Sequence, residues 1–550
     1  MHASSLADQL FGRARSSSST TQCCAHALKP RPRVERLLKH RHRRYAELEL
    51  NWHNTPLTLP HQAGLCAALP KLSEVDVQTS LRWCSSISER LVLDSALDEV
   101  FKALEGELAD ATLPPQMAIL FASGAHASVD QLAEASARLR RQFPSLQHIV
   151  GTAAQGVIGS AAGQPREVEA APALSVTLGC LPGTELRAVR VDNRNLPDGD
   201  ASPERWQELL GVPVDTDKHV SFVLLSSPAF SGIMDLMAGL DFAYPEAAKI
   251  GGLASGPAQR GPTPVDETLD TESGPSIAIA GAPRQAGPAR GWPMVCWSAS
   301  RTAGGGWGEG SGAVAMDGAV VLALHSKALF IEPLIAQGCR AISATYVVEQ
   351  AKDGAILALA PADRPGRTIG PLEALVSALK ALPPADRQRA LQNLTAALAP
   401  DDFKPAAELG TGDFLVRCLA DFDTQTGVLL VGGGARLGQR LRFMVRDRDG
   451  AMQDMRDHAV ELKRRSLQMA MQGRPQAQPV GALMFSCNGR GVGLFSEPDF
   501  DSRTLASFLP VPSSGFFCNG EIGQVGQTTY LHGFTAAVGI LRAQSREEQS

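Results

Sequence analysis

Two Cys-Asn-Gly turns near the carboxy terminus hold the residue types best suited to contact a ligand. The run ALMFSCNGRG contains Cys487, Asn488 and Arg490, and the run GFFCNGEIG contains Cys518, Asn519 and Glu521. In each run an apolar strand leads into a turn where glycine permits close backbone approach and asparagine tolerates left-handed conformations. Loops at strand ends are where α/β sheets bind ligands. The sequence therefore predicts that the polar tips of the two turns share a cavity.

The two cysteines and His532 admit two interpretations. At one pocket, Cys487 and Cys518 could act as metal ligands, as a redox pair or as a nucleophile assisted by His532. Alternatively, each cysteine is a small hydrophobic residue packed beneath its turn. A reactive thiolate needs a nearby positive charge, for which Arg490 is the obvious candidate. His532 itself could be an axial haem ligand or a hydrogen-bonded core residue.

Arg490 and Glu521 carry opposite charges at neighbouring turn tips. An arginine binds a carboxylate in bidentate fashion, so this pair suits the carboxylate and the amine of an amino-acid-like ligand. The alternative is that Arg490 and Glu521 pair with each other as a salt bridge that locks the loops. Replacement of Arg490 distinguishes the two, since ligand binding is lost in the first case and only stability in the second.

The elements that must position these turns indicate an α/β fold with mixed α+β sheets. Short apolar runs at residues 117–122 and 220–225 suit buried strands, whereas Ser128 followed by Gln131 is a capping-box signal for a helix. We expect two packed layered domains over residues 81–350 and 361–545. Proline and glycine concentrate in residues 256–312, which we expect to form a mobile insertion because they bury little apolar surface. No repeat of solenoid period is evident.

Composition limits the function classes. The net charge of -5 disfavours a nucleic-acid partner, and no apolar run is long enough to span a bilayer, so we expect no membrane partner. The ten cysteines lack the short spacings of a zinc site, and we predict no metal. Phosphate-loop, nucleophile-elbow and H-E-x-x-H motifs are absent, so no catalytic residue is predicted.

The amino terminus has a different composition from the rest of the chain. Ten Lys or Arg residues and two acids lie within positions 1–44, together with a run of serine and threonine. This pattern is typical of an organellar transit peptide, and a basic disordered tail is the alternative. We expect residues 1–75 to be disordered and the mature protein to be in the chloroplast, with the mitochondrion or the cytoplasm as alternatives.

Several phrases of the sequence resemble the FIST family. The carboxy-terminal FIST domain is matched by FSCNGRG, GFFCNGEIG and the closing LHGFT around His532, and also by the QGCR stretch at residues 337–340. In the amino-terminal half, the G-x-x-x-x-G turn at residues 151–156 and the phrase IGGLAS at residues 250–255 resemble the family's other domain. The resemblance covers about residues 85–545.

The resemblance implies a sensory module that binds a small molecule. Amino acids or their derivatives are the ligands proposed for such modules, and some bacterial relatives are associated with haem. No cofactor is otherwise predicted. Since no output domain is evident, a signal would leave through a downstream protein partner. The predicted function is therefore ligand-dependent sensing, and the alternatives are a haem sensor, an enzyme that uses Cys487, Cys518 and His532, or a ubiquitin-ligase-type adaptor scaffold.

Overall fold

The computed structural model of the chain describes residues 80–214, 217–256, 291–301, 307–473 and 477–544. The predicted basic amino terminus over residues 1–75 lies outside the described residues, as does most of the predicted insertion over residues 256–312. The described elements belong to one unit that extends from residue 76 to the carboxy terminus.

The described residues form strands and helices in alternation. The strands are β1 (Arg82–Ser88), β2 (Met117–Ser123), β3 (His148–Ala154), β4 (Gly156–Ala161), β5 (Gln164–Glu169), β6 (Ala173–Cys180), β7 (Thr184–Val191), β8 (His219–Ser226), β9 (Ala248–Leu253), β10 (Met294–Arg301), β11 (Trp307–Ala315), β12 (Ala319–Ser326), β13 (Leu329–Gln337), β14 (Cys339–Ala341), β15 (Tyr346–Lys352), β16 (Ala355–Pro361), β17 (Leu394–Leu398), β18 (Leu415–Phe422), β19 (Leu429–Val431), β20 (Arg440–Arg446), β21 (Gln478–Cys487), β22 (Ser513–Cys518), β23 (Glu521–Val525), β24 (Thr528–His532) and β25 (Thr535–Ala543). The helices are α1 (Leu93–Glu107), α2 (Val129–Gln142), α3 (Pro203–Leu210), α4 (Ile233–Ala243), α5 (Pro371–Ala381), α6 (Pro384–Gln392), α7 (Arg448–Met471), α8 (Val492–Phe495) and α9 (Phe500–Phe508).

Three six-stranded sheets are built to one plan. Their strand orders are β1-β6-β2-β3-β10-β11, β7-β12-β8-β9-β23-β24 and β13-β25-β21-β22-β4-β5. In each sheet the two central strands are parallel and are joined through one or more helices: β2 with β3, β8 with β9, and β21 with β22. The described part of the chain therefore contains three equivalent repeats: the first is β1 to β6, the second β7 to β12 and the third β13 to β25. The hairpin that completes each sheet comes from a different repeat, since β10–β11 completes the first sheet, β23–β24 the second and β4–β5 the third.

A glycine at the same position of each parallel pair supports this equivalence. A Cβ atom at Gly151, Gly251 or Gly515 would lie 2.0, 1.9 or 1.7 Å from the backbone oxygen of its register partner on the neighbouring strand. Such separations are far below van der Waals contact, so only glycine fits. Each glycine begins a G-x-x-x-x-G phrase that ends at Gly156, Gly256 or Gly520.

The inner faces of the three sheets meet in one hydrophobic core. Phe121 of the first sheet packs on Phe516 of the third with ring centroids 5.0 Å apart, and Val223 of the second sheet joins the same cluster. Helices α1 and α2 cover the outer face of the first sheet, α3 and α4 that of the second, and α7 and α9 that of the third. Because the strands are buried on both faces, they read as continuous apolar runs.

The fourth sheet is a barrel inserted into the third repeat, between β13 and β21. The strands β20-β15-β16-β19-β18-β17 form a closed ring because β17 also pairs with β20, and β14 lies beside β20. Helix α7 returns the chain from this barrel to the third sheet. Its first turn is capped by Asp447, whose side chain accepts a hydrogen bond from Gly450 N at 2.6 Å.

The predicted α+β class with mixed sheets is confirmed, and the helix predicted at Ser128 begins there, with the Ser128 side chain accepting from Gln131 N. Two features differ from expectation. Strands β10 and β11 occupy part of the predicted insertion, because β10 pairs with β3 and completes the first sheet. The two predicted layered halves also share sheets, since β4 pairs with β22 and β23 pairs with β9.

Candidate functional site

The two Cys-Asn-Gly turns lie together at one edge of the third sheet. Cys487 and Cys518 are register partners at the ends of β21 and β22. Directly beyond them, Asn488 Nδ2 donates a hydrogen bond of 2.7 Å to Asn519 Oδ1. Both asparagines are at least partly exposed, whereas Cys518 beneath them is buried. The structure therefore contains the predicted meeting of the two turn tips.

Residues of the three G-x-x-x-x-G phrases form hydrogen bonds at the base of these turns. Asn519 N donates to Leu253 O at 3.1 Å, which ties the third repeat to the second. Gln155 N of the first repeat donates to Ser255 Oγ at 2.8 Å, and Ser255 Oγ in turn donates to Phe517 O. All three repeats thus contribute hydrogen bonds to the base of the site, which fixes the turns relative to the core.

The cysteines are placed as small packed residues, with Cys518 buried and Cys487 partly buried. Burial raises the pKa of Cys487 to about 12, with a smaller contribution from neighbouring Glu521. Burial likewise raises the pKa of Cys518 well above its ordinary value. Both thiols are therefore protonated near neutral pH, and a thiol nucleophile or redox pair gains no support from this geometry.

Arg490 points into the interior and not to the turn tip. Its Nε and Nη2 donate to the two carboxylate oxygens of Asp501 at 2.7 and 2.8 Å, and both side chains are only 1% exposed. The expected alternative of a structural salt bridge is thus the observed arrangement, but with Asp501 as the partner instead of Glu521. The pair anchors the turn after β21 to helix α9.

Glu521 and His532 are opposite each other on the β23–β24 hairpin and are both buried. Glu521 Oε2 accepts from the backbone and hydroxyl groups of Thr535. His532 Nε2 bonds to Gly523 O at 3.1 Å, and burial lowers the pKa of His532 to about 4. His532 is therefore a neutral, hydrogen-bonded core residue, so its haem role gains no support here and stays a prediction.

Internal comparison shows that the first repeat has no ionisable pair at the equivalent position. Gly520 and Gly156 end equivalent phrases, so Glu521 corresponds to Val157. Val157 is paired with Val168, just as Glu521 is paired with His532, and both valines belong to the hydrophobic core. The hairpin plan does not require charge at these positions, because two valines fill them in the first repeat.

A surface cavity of about 760 Å³ adjoins the first turn. It is lined by Arg340, Asp386, Asn393, Val445, Arg446, Asp447, Arg448, Asp449, Gly450, Gln453, Gly493 and Leu494. Arg446 links this cavity to the turn: a Cβ at Gly489 would lie 2.8 Å from Arg446 Nη1 and 3.7 Å from Cys487 Sγ. None of the predicted site residues belongs to this lining, so this cavity lies to one side of the turns, against the barrel and the start of α7, and the shared cavity at the turn tips stays a prediction.

Arg446 and Asp501 are the important residues that sequence reasoning missed. Arg446 lies in a basic and acidic run, RDRDG, that resembles an ordinary solvated segment. Asp501 follows Arg490 by eleven residues, a separation that no local pattern connects. The local signal for Arg446 was the N-capping residue Asp447 that follows it, since the cap places Arg446 at the end of β20, directly before a long helix.

Metal-binding clusters and membrane-spanning helices are both lacking in the described part of the chain. Within it, no group of three or more His, Cys, Asp or Glu side chains is arranged to hold a metal ion. No described helix is both long enough and apolar enough to cross a membrane.

Comparison with known proteins identifies the family. Residues 116–281 match the FIST N domain and residues 372–524 match the FIST C domain, and the two matches together cover more than half of the chain. The chain belongs to the FIST family. FIST domains point to a sensory or signal-transduction role.

This FIST protein is also similar to mycobacterial proteins. It is 29% identical over 442 residues to the uncharacterized protein MT0656 of Mycobacterium tuberculosis, a match that covers 79% of this chain and 92% of the relative. It is 34% identical over 209 residues to the uncharacterized protein Mb0898c of Mycobacterium bovis, which covers 38% of this chain and 50% of that relative.

Proposed function

We propose that this FIST protein is a sensor that binds a small amino-acid-like ligand in the 760 Å³ cavity beside its twin turns. The observation that carries the proposal is the Arg446 guanidinium. It stacks over the Phe534 ring at 5.4 Å and forms no ion pair with any carboxylate of the described residues. An arginine held by stacking and lacking a carboxylate partner is preorganised to bind a ligand carboxylate.

The other charges of the cavity suit the opposite end of such a ligand. Arg340 is already engaged with Asp447 at 2.8 Å, so Arg446 is the better placed cation. Asp449 and Asp386 bring carboxylates to the same lining. A lining with both signs of charge complements a zwitterion better than a simple anion.

In the proposed arrangement the twin turns lie beside the cavity and position the residues around Arg446. Asn488 offers a partly exposed amide next to Gly489, while Cys487, Cys518 and Glu521 lie beneath as packing and hydrogen-bonding groups. Arg490 keeps the turn in place through Asp501. In this proposal, ligand occupancy is transmitted to a downstream protein, which agrees with the sensory or signal-transduction role that FIST domains suggest.

Replacement of Arg446 tests the proposal. A ligand is first identified by native mass spectrometry of the purified protein and by thermal-shift measurements with the twenty amino acids. Calorimetry then measures its affinity. Arg446→Gln should weaken binding about ten- to hundredfold, because a charge-assisted hydrogen bond is lost. Arg456→Gln is the matched control: Arg456 stacks on Phe500 and lines a separate cavity of about 470 Å³. Equal affinity for wild type and Arg446→Gln would disprove this site.

A glycine pair sharpens the same test without a change of charge. Gly489→Ala should displace the Arg446 head, because the new Cβ would lie 2.8 Å from Nη1, and it should therefore weaken binding. Gly493→Ala is the control, since Gly493 lines the same cavity but an added Cβ there would meet no other atom within 4 Å. If both variants bind like wild type, the position of Arg446 does not matter for binding.

A further inference from the structure

The interior carboxyl of Glu521 has one satisfied and one unsatisfied oxygen. Its side chain is completely buried. Oε2 accepts from Thr535 N at 3.2 Å and from Thr535 Oγ1 at 2.8 Å. Oε1 has no hydrogen-bond partner of ordinary length, although the Cys487 thiol is close enough to stabilise the charged form weakly. A buried oxygen without a donor costs free energy that a hydrogen-bond donor from a ligand would recover.

The fold does not require a buried carboxyl at this position. The first repeat places Val157 at the equivalent position and closes the same hairpin with Val168. Polar groups that break the pattern of a core are expected at functional sites, where another gain offsets their cost. A second unsatisfied oxygen lies in the adjoining turn, since Asn488 Oδ1 is buried without a partner. Because Oε2 already accepts two hydrogen bonds, the proton of a neutral Glu521 belongs on Oε1, and Oε1 becomes an acceptor without a donor when the carboxyl ionises. A ligand group that donates a hydrogen bond would then satisfy it.

The surroundings of Glu521 favour its neutral form in the empty protein. Burial raises the pKa of Glu521 to about 8. The hydrogen bonds from Thr535 and the positive charge of Arg490 lower the pKa, but their effect is smaller than that of burial. The titratable groups that face it are Cys487 on β21, Cys518 on β22 and His532 on β24, all of which are uncharged near neutral pH. On β9, its register partner is Gly252, which has no side chain.

We propose that Glu521 links ligand binding to proton release: its carboxyl is neutral in the empty protein and ionises when a cationic group of the ligand reaches Oε1. The O–H bond of the carboxyl breaks, the proton passes to solvent, and the carboxylate and the ligand cation form an ion pair with no covalent change. This inference rests on the proposed ligand site. Glu521 does not line the cavity itself, so the ligand cation leaves Asp449 and Asp386 in the lining and reaches Oε1 past Cys487 and Gly489 of the first turn.

The first test uses the protein without any ligand. A carboxyl that is neutral when folded stabilises the fold below its unfolded pKa, and that contribution falls as pH rises towards the folded value. The stability of wild type relative to Glu521→Gln should therefore decrease between about pH 4.5 and pH 8 in urea titrations. The infrared band of a protonated carboxyl should be present at pH 7 in wild type and weaker in Glu521→Gln.

Glu167→Gln is the matched control for this measurement. Glu167 is also buried, and burial raises its pKa to about 8, but it lies on β5 beside Asp501 and not at the twin turns. It should show a similar titration in the empty protein. A Glu521 that is already ionised at pH 7, seen as an unchanged infrared band in Glu521→Gln, would overturn the inference.

The second test uses ligand fragments as probes. Methylammonium chloride should shift the Glu521 titration to lower pH. Sodium chloride at equal ionic strength should cause no such shift, and methylammonium chloride should leave the Glu167 titration unchanged. Sodium acetate probes Arg446 separately, through stabilisation that Arg446→Gln abolishes. Acetate binding at Arg446 without a methylammonium effect would overturn the proton linkage and leave the proposed function intact. No effect of either fragment would count against both.

Discussion

At the scale of single residues, the site depends on which charged groups are already committed to the fold. Arg490 looks like a ligand residue because it follows Cys-Asn-Gly, yet its guanidinium is buried against Asp501. Arg446 looks like a surface residue, yet its guanidinium lies on Phe534 without a carboxylate partner among the described residues. Burial and pairing thus reverse the roles that residue type and position suggest.

Arg490→Ala should therefore reduce stability by about 3–5 kcal/mol, because it leaves the Asp501 carboxylate buried and unpaired. Urea denaturation measures the change. The double variant Arg490→Met with Asp501→Leu should be much closer to wild type, since it removes both charges. A single variant that keeps wild-type stability and loses only ligand binding would instead show that Arg490 contacts the ligand directly.

The sequence allowed some of this site to be predicted. Asn488 and Asn519 follow two apolar strands with the same Cys-Asn-Gly ending, and that local likeness predicts their meeting. The pairing of Arg490 with Asp501 could not be predicted, because it depends on how α9 packs against the third sheet. The haem role of His532, the localisation and the transit peptide stay predictions.

At the scale of elements, three glycines decide how closely the parallel strands approach. Met484 O would lie 1.7 Å from a Cβ at Gly515, and the equivalent contacts in the other repeats are similar. Of the three G-x-x-x-x-G phrases, only the one at residues 151–156 is interpreted as such a turn from the sequence, and the other two segments are noted as the separate phrases IGGLAS and GFFCNGEIG. Their repetition was obscured because a barrel separates β13 from β21 and because the phrase at Gly251 precedes a long Pro/Gly-rich segment.

Gly515→Ala should destabilise the protein by more than about 4 kcal/mol, since the rigid backbone of β21 cannot move away without breaking the sheet. Differential scanning calorimetry or the yield of soluble protein measures the effect. Gly533→Ala is a suitable control, because Gly533 has no atom within 4 Å of a Cβ position and lies between the neighbouring strands β24 and β25. Equal melting temperatures for the two variants would contradict the close approach.

At the scale of the whole molecule, hairpin exchange makes the two family domains depend on each other. The β4–β5 hairpin from the amino-terminal half completes the third sheet, and the β23–β24 hairpin from the carboxy-terminal half completes the second. The sequence predicted two layered halves, over residues 81–350 and 361–545. Exchange could not be predicted, since a strand pattern does not specify which strand lies beside it.

This dependence predicts the behaviour of a chain divided between β12 and β13. The fragment that ends at Ser326 lacks the β23–β24 hairpin beside β9, and the fragment that begins at Lys327 lacks the β4–β5 hairpin beside β22. Each therefore exposes an open sheet edge and part of the shared core. Each fragment alone should aggregate or lack a cooperative melting transition, whereas co-expression should yield a soluble complex. A fragment that melts cooperatively by itself would show that the exchanged hairpins add to a half that is already stable, and the ligand site would then belong to the carboxy-terminal half alone.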